Sequence, residues 1–310
     1  LNNHIGLPLT LLKLKNHTAA VVEMGMNHFG EISLLTNIAK PTICVITNVG
    51  TAHIGNLGSR ENILKAKLEI LEGLEQNGTV IINNDNDLLK KWAGEDTKYN
   101  ICTYGIENKS NYMAKNINEE NKTTYYIEDK FIENPVTGRH FIYNALSAYA
   151  VGDILNIEKE KIKNGIQNFK LTPNRMDVKI IRENIKEIND SYNASYDSMK
   201  AALETMKKER NKRKIAVLGN MLELGEYSEE LHKKVGEEVV RNNIDILITV
   251  GDYAQKISDT AKELNMEQVY AFNNIEDASE YLRKIMEEDD VILLKASNSM
   301  NFGKILTLIN

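Results

Sequence analysis

Short, almost wholly apolar runs recur along this chain: ICVI at 43–46, TVII at 79–82, IAVLG at 215–219, ILITVG at 246–251 and VILLK at 291–295. Such runs are too short for a buried helix, and their lack of alternation implies that both faces are covered. Segments of helical period lie between them, so the chain is constrained to parallel strands with helices packed on either side. Thr18–Val22 reads as a further strand, Ile43–Ile46 as a central one, and Ile101–Tyr104 as another. Asn111–Ile132 alternates polar and apolar residues, which predicts antiparallel strands appended to the sheet. Gly138–Asp153 has the helical period, with Ile142, Leu146, Tyr149 and Ala150 on one face, and Ile157–Phe169 reads as a second helix.

Pro173, within LTPNRMD, breaks the pattern and marks a linker. The 310 residues therefore divide into an α/β domain over 1–172 and a second over 173–310, each long enough for its own core. The second opens with a strand pair, Val178–Ile181 and Ile185–Ile188, followed by a helix from about Ser195. Strand and helix then alternate to the end, as in a doubly wound, Rossmann-like domain.

A net charge of −6 with interspersed signs gives no footprint for nucleic acid or an anionic membrane. No apolar run approaches the ~20 residues of a membrane span, and no signal peptide is present, so a cytoplasmic protein is expected. Cys44 and Cys102 fit neither a disulfide framework nor a zinc spacing and read as free thiols. The chain opens at Leu1 with no initiating methionine, which reads as a fragment.

One lysine stands out. If Ser59 caps a helix running through Leu74, a turn of about 100° per residue places Ile63, Leu64, Ile70, Leu71 and Leu74 around Lys67. Lys65, Glu69 and Glu72 fall on the opposite face. An ammonium on the apolar stripe either snorkels its head to solvent or is paired, neutralised or modified. Glu23 follows one strand, and His53 lies in the loop after another; open α/β sheets bind ligands at that edge. A carboxylate and an imidazole there suit Mg²⁺, and a lysine of lowered pKa can add CO₂ to become an anionic carbamate. Taken alone, Glu23 reads rather as the first solvated residue after its strand.

No G-x-x-x-x-G-K-[ST] loop is present; GMNHFGEI at 25–32 and GTAHIGNL at 50–57 have only the glycine spacing. In the second domain, Asp190 and Asn193 follow a strand and precede a helix, a place for ribose binding or for an ordinary helix cap. Arg175 in the linker could meet phosphate or be a solvated hinge charge.

These segments together resemble the Mur ligases, the ATP-dependent enzymes that extend the peptidoglycan stem peptide. The resemblance rests on NNHIGLPLTLL, VEMGMNHFGEI, TNVGTAHIGNLGSRENILKAKLEI, NDSYNASYDSM and LGNMLELGEYSEELH. LGNMLELG is similar to the branch that adds D-alanyl-D-alanine to the UDP-N-acetylmuramoyl tripeptide. It implies a central, P-loop-type domain truncated at its start, with the phosphate loop before Leu1, followed by the family's C-terminal domain. It also implies ATP and Mg²⁺, with Glu23, His53 and a carbamylated Lys67 at the metal and with His53 and Lys67 in catalytic roles. Asn144 would face adenine, Arg175 the phosphates and Asp190 the ribose, while Asn193 and Ser195 would border the dipeptide. The implied setting is cell-wall precursor synthesis by a cytoplasmic monomer, inactive as this piece alone. Another Mur or a folylpolyglutamate-type ligase, or a non-catalytic remnant, are the alternatives. Phe141, Asn220, Asn298 and Gly303 depart from the family pattern.

Overall fold

The computed structural model of the chain describes residues 2–95, 98–120 and 122–309, the side chain of Glu183 excepted. Leu1, and Asn121 within the alternating stretch, lie outside the described residues. The chain forms two compact units, one of residues 1–135 and 139–169, the other of residues 136–138 and 170–310.

The first unit begins with α1 (Gly6–Leu11) and α2 (Glu31–Ala39), then β1 (Ile43–Ile46), α3 (Ile54–Leu57) and α4 (Arg60–Leu68). Next come β2 (Thr79–Asn83), α5 (Asp87–Ala93), β3 (Asn100–Gly105), β4 (Tyr112–Asn118), β5 (Thr123–Ile127) and β6 (Lys130–Asn134). It closes with α6 (Arg139–Ile154) and α7 (Lys159–Gln167). The strands lie side by side in chain order. β1 to β4 are parallel, whereas β5 and β6 turn back antiparallel, as the alternating stretch predicts. On one face α6 packs Ile142, Leu146, Tyr149 and Ala150 into a cluster with Ile81, Tyr104, Tyr125 and Ile127.

Three expectations are corrected. Thr18–Val22 is not a strand; Ala19 and Ala20 are exposed, and Val21 is 91 % exposed. An apolar run becomes a strand only where a neighbour completes its hydrogen-bond ladder, and no described strand pairs with this one. For the same reason β1 is the terminal strand among the described residues rather than a central one. Its Cys44 and Ile46 are nonetheless buried on one face, while Ile43 and Val45 pack on the α6 cluster on the other. Finally, α4 starts at its Ser59 cap, whose hydroxyl accepts from Asn62 N at 3.1 Å, but tightens to a 3₁₀ turn over Glu69–Glu72. The Ile70 carbonyl accepts instead from the Thr36 hydroxyl at 2.7 Å and the Cys44 thiol at 3.7 Å. Glu69 and Glu72 therefore meet α2: Glu69 accepts from Gly30 N and Ser33 N, and Glu72 from the Ser33 hydroxyl.

The second unit runs β7 (Asp177–Ile180), β8 (Lys186–Asn189), α8 (Tyr196–Met206), β9 (Lys214–Gly219), α9 (Ser228–Arg241), β10 (Ile246–Val250) and α10 (Gln255–Glu263). It ends with β11 (Val269–Phe272), α11 (Ile275–Ile285), β12 (Val291–Lys295) and α12 (Gly303–Ile309). The sheet order is β11-β10-β9-β12-β8-β7, all parallel except β7. β12 is thus inserted between β8 and β9, which makes the carboxyl ends of these three strands a topological switch point. Ile215, Val217, Ile246, Ile248, Ile292 and Leu294 form the core under α11 and α12.

Candidate active site

In the first unit the loop after β1 carries His53 and is held on two sides. Asn86, which caps α5, donates to Asn48 Oδ1 at 2.9 Å and to the Val49 carbonyl at 3.2 Å. Arg60, at the start of α4, donates to the same carbonyl at 2.9 Å and grips Asp87 with two nitrogens at 2.9 and 2.5 Å. That guanidinium holds the Asp87 carboxyl below the ordinary carboxylate value. His53 itself adopts the left-handed region, φ 62°, directly before α3. A non-glycine residue there carries local strain of about 1 kcal/mol, a feature that concentrates at functional sites.

Lys67 lies on α4 beside the fully buried Ala66. Its ammonium has no hydrogen-bond or ion-pair partner among the described residues, and burial pushes its pKa below the ordinary lysine value. Glu23, in the unpaired segment after Val22, is exposed and accepts from Asn2 Nδ2 at 2.9 Å. Glu23 and Lys67 are therefore not in direct contact. Among the described residues no three His, Cys, Asp or Glu side chains are grouped to hold a metal ion. The donor set fits Mg²⁺ only if Lys67 is converted to an oxygen donor, and a partnerless amine of lowered pKa is the form that adds CO₂. Asn144 lies exposed on α6. Its neighbour Tyr143 donates to Asp85, whose carboxylate also accepts from Ile106 N, Glu107 N and Asn108 N.

The second unit gathers Asp190, Asn193, Ser195 and Arg175 at its switch point. Asp190 does not cap α8; Ser195 does, in a reciprocal capping box with Ser198. Asp190 Oδ1 instead accepts from Met176 N at 3.1 Å, and Oδ2 from Lys295 Nζ at 2.5 Å. Lys295 is 2 % exposed at the end of β12 and also donates to the Asn193 carbonyl at 3.0 Å. The exposed Arg175 guanidinium stacks on the Tyr192 ring, 3.9 Å from its centroid. Asn298 Nδ2 donates to the Tyr192 carbonyl at 3.0 Å. Asn193 is exposed, its own amide oxygen accepting from Ala194 N.

The rim continues through the loop after β9. Asn220 accepts from Ala254 N at its side chain and from Ser297 N at its carbonyl, and Ser297 Oγ accepts from Leu222 N. His232, wholly buried, accepts from Met221 N at Nε2 and lies 2.6 Å from the Ser228 carbonyl at Nδ1. These partners place the proton on Nδ1, and burial lowers the pKa, so the ring is neutral.

Residues 1–152 match the Mur ligase middle domain, and residues 174–298 the Mur ligase, glutamate ligase domain. The chain belongs to the Mur ligase family. A *Bacillus subtilis* relative named UDP-N-acetylmuramoyl-tripeptide--D-alanyl-D-alanine ligase is 38 % identical over 98 % of the chain and 67 % of its own length. A *Synechocystis* ligase of the same name is 34 % identical over 99 % of the chain and 66 % of its own length. Among solved structures, MurF from *Acinetobacter baumannii* superposes with a TM-score of 0.91 at 26 % identity, over 99 % of this chain and 68 % of that one. MurF from *Thermotoga maritima*, in complex with ADP, gives 0.86 at 26 % identity, over 98 % and 70 %. The chain thus spans about two thirds of the length of the Mur ligases it matches.

Sequence reasoning missed Arg60, Asn86, Lys295 and His232. Lys295 was within reach of it: it is a charged residue directly after four apolar ones, the pattern that singled out Glu23, and here those residues do form a strand. His232 carries no comparable signal: Ser228 is one turn earlier on the same helix, and Met221 meets it only through the fold of the loop.

Proposed function

We propose that this chain supplies the ATP-binding and C-terminal parts of a ligase that joins D-alanyl-D-alanine to UDP-N-acetylmuramoyl-tripeptide. The observation that carries the reading is the partnerless Lys67 amine, within a chain 38 % identical to a ligase of that name. In the reaction ATP phosphorylates the tripeptide carboxylate, and the dipeptide amine attacks the acyl phosphate to release phosphate and form the amide. Asn144 faces adenine, and Arg175, free of carboxylate partners among the described residues, binds phosphate oxygens. Asp190 keeps lone pairs on both oxygens for ribose hydroxyls, since among the described residues each accepts one side-chain or backbone bond. Asn193 and Ser195 border the dipeptide. Glu23, His53 and a Lys67 carbamate would hold Mg²⁺, which would supply positive charge beside the phosphate oxygens. The domain boundary lies near Pro173, and the enzyme acts in the cytoplasm as a monomer.

Two measurements test this. In ¹³C-bicarbonate the protein is expected to show a carbamate carbonyl resonance that Lys67→Ala lacks. In a ligation assay on a completed enzyme, in which this chain is joined to the rest of a ligase, the same substitution is expected to cut turnover about 10²-fold or more, and bicarbonate should not restore it. A Lys67→Ala enzyme of near-normal activity, or an acceptor preference for glutamate or a single amino acid over the dipeptide, overturns the reading.

A further inference from the structure

We propose that Lys295 is a positioning residue that neutralises Asp190 and so leaves the Arg175 guanidinium available to an anion; this rests on the nucleotide reading given above. Asp190 and Arg175 are brought near each other by the turn from Asn174 to Met176, which is bound to the strand ends at both sides. Tyr192 N donates to the Asn174 carbonyl at 3.0 Å, and Met176 N to Asp190 Oδ1. An exposed arginine close to a carboxylate ordinarily pairs with it. Here the carboxylate, on a side chain 15 % exposed, is already claimed from below by Lys295 at 2.5 Å. Arg175 lies on the Tyr192 ring instead, with no carboxylate at ion-pair distance among the described residues.

The geometry of Lys295 suits this task. Its ammonium has acceptors in Asp190 Oδ2, the Asn193 carbonyl at 3.0 Å and the Asp190 carbonyl at 3.4 Å. All belong to the turn between β8 and α8, and an ammonium has only three protons to give. Being buried, Lys295 is not itself placed to meet a ligand. The local charge of Arg175, Lys295 and Asp190 is then a single positive unit, located on the exposed arginine. Removing Lys295 leaves an unpaired carboxylate that the Arg175 guanidinium is then drawn to compensate.

The test uses the whole chain with inorganic tripolyphosphate and with ADP, titrated by calorimetry at low salt. Tripolyphosphate has no ribose, so it reads Arg175 without the proposed Asp190 contact. Lys295→Met is expected to weaken tripolyphosphate binding about tenfold, the scale of one charge-assisted contact. Lys295→Arg should stay within about threefold of the parent, and so should Lys295→Met/Asp190→Asn, which removes both charges together. That rescue is the readout a merely structural lysine does not give. If Lys295→Met does not fold, the double variant and Lys295→Arg decide the matter alone. Unchanged binding in Lys295→Met, or a tenfold loss in the double variant, overturns the inference while leaving the nucleotide reading in place. A parent chain that binds neither ADP nor tripolyphosphate removes the nucleotide reading, and this inference with it.

Discussion

Glu187, on β8, is 1 % exposed, and neither carboxylate oxygen has a hydrogen-bond partner among the described residues. Burial raises its pKa above the ordinary 4.5, and Asp177 adds to that rise; Lys179 on the neighbouring strand opposes it without reversing it. The folded chain therefore holds a proton that the unfolded chain releases, and stability falls as the pH rises above about 4.5. Glu187→Met is expected to stabilise the chain by roughly 1–3 kcal/mol at pH 7 and by less at pH 4. Urea midpoints at the two pH values check this, and equal gains at both would contradict the assignment. At this scale the sequence was legible where a single residue violated its own pattern, as Lys67 does on its helix. It was not legible for Glu187, which in the sequence reads as one of two charged residues between Ile185 and Ile188 in a short strand, nor for Asp190, whose lysine lies 105 positions away.

Among the elements, α2 and the end of α4 form one unit. Gly30, at φ 84°, begins α2 without a side chain that could cap it, and Glu69 supplies the missing acceptor from 39 residues away. Glu69→Ala is expected to cost about 1 kcal/mol, the scale of a lost helix cap, whereas Lys65→Ala on the exposed side of α4 should be near neutral. Comparing their denaturation midpoints decides it. A helical projection placed Glu69 beside Lys65 on the solvent side because it carried 100° per residue past Leu68, where the backbone tightens. Binary patterns report burial, so α6 and the strands β2, β3, β9, β10 and β12 were readable from their own residues. Pairing is non-local, so nothing within 18–22 or 43–46 could reveal that one is no strand and the other the terminal strand among the described residues.

For the whole molecule, each unit has its own sheet and its own apolar cluster. Phe169 and Lys170 are exposed, whereas Asn174 is anchored by Asn189 and Tyr192, so a first tryptic cut is expected after Lys170. Mass spectrometry of the early digest should find the two pieces that meet there; a first cut inside either sheet would show that the units are not separately protected. Within the second unit, the ends of β8, β9 and β12 are cross-linked by Lys295, Ser297 and Asn220, and the neutral His232 ties the following loop to α9. Such a rim is preorganised: its ordering entropy is lost when the chain folds, not when a ligand arrives. Association at this edge then gives up little affinity to loop ordering, and heating that leaves the core intact should leave the rim's amides as slow to exchange as the strands that carry them.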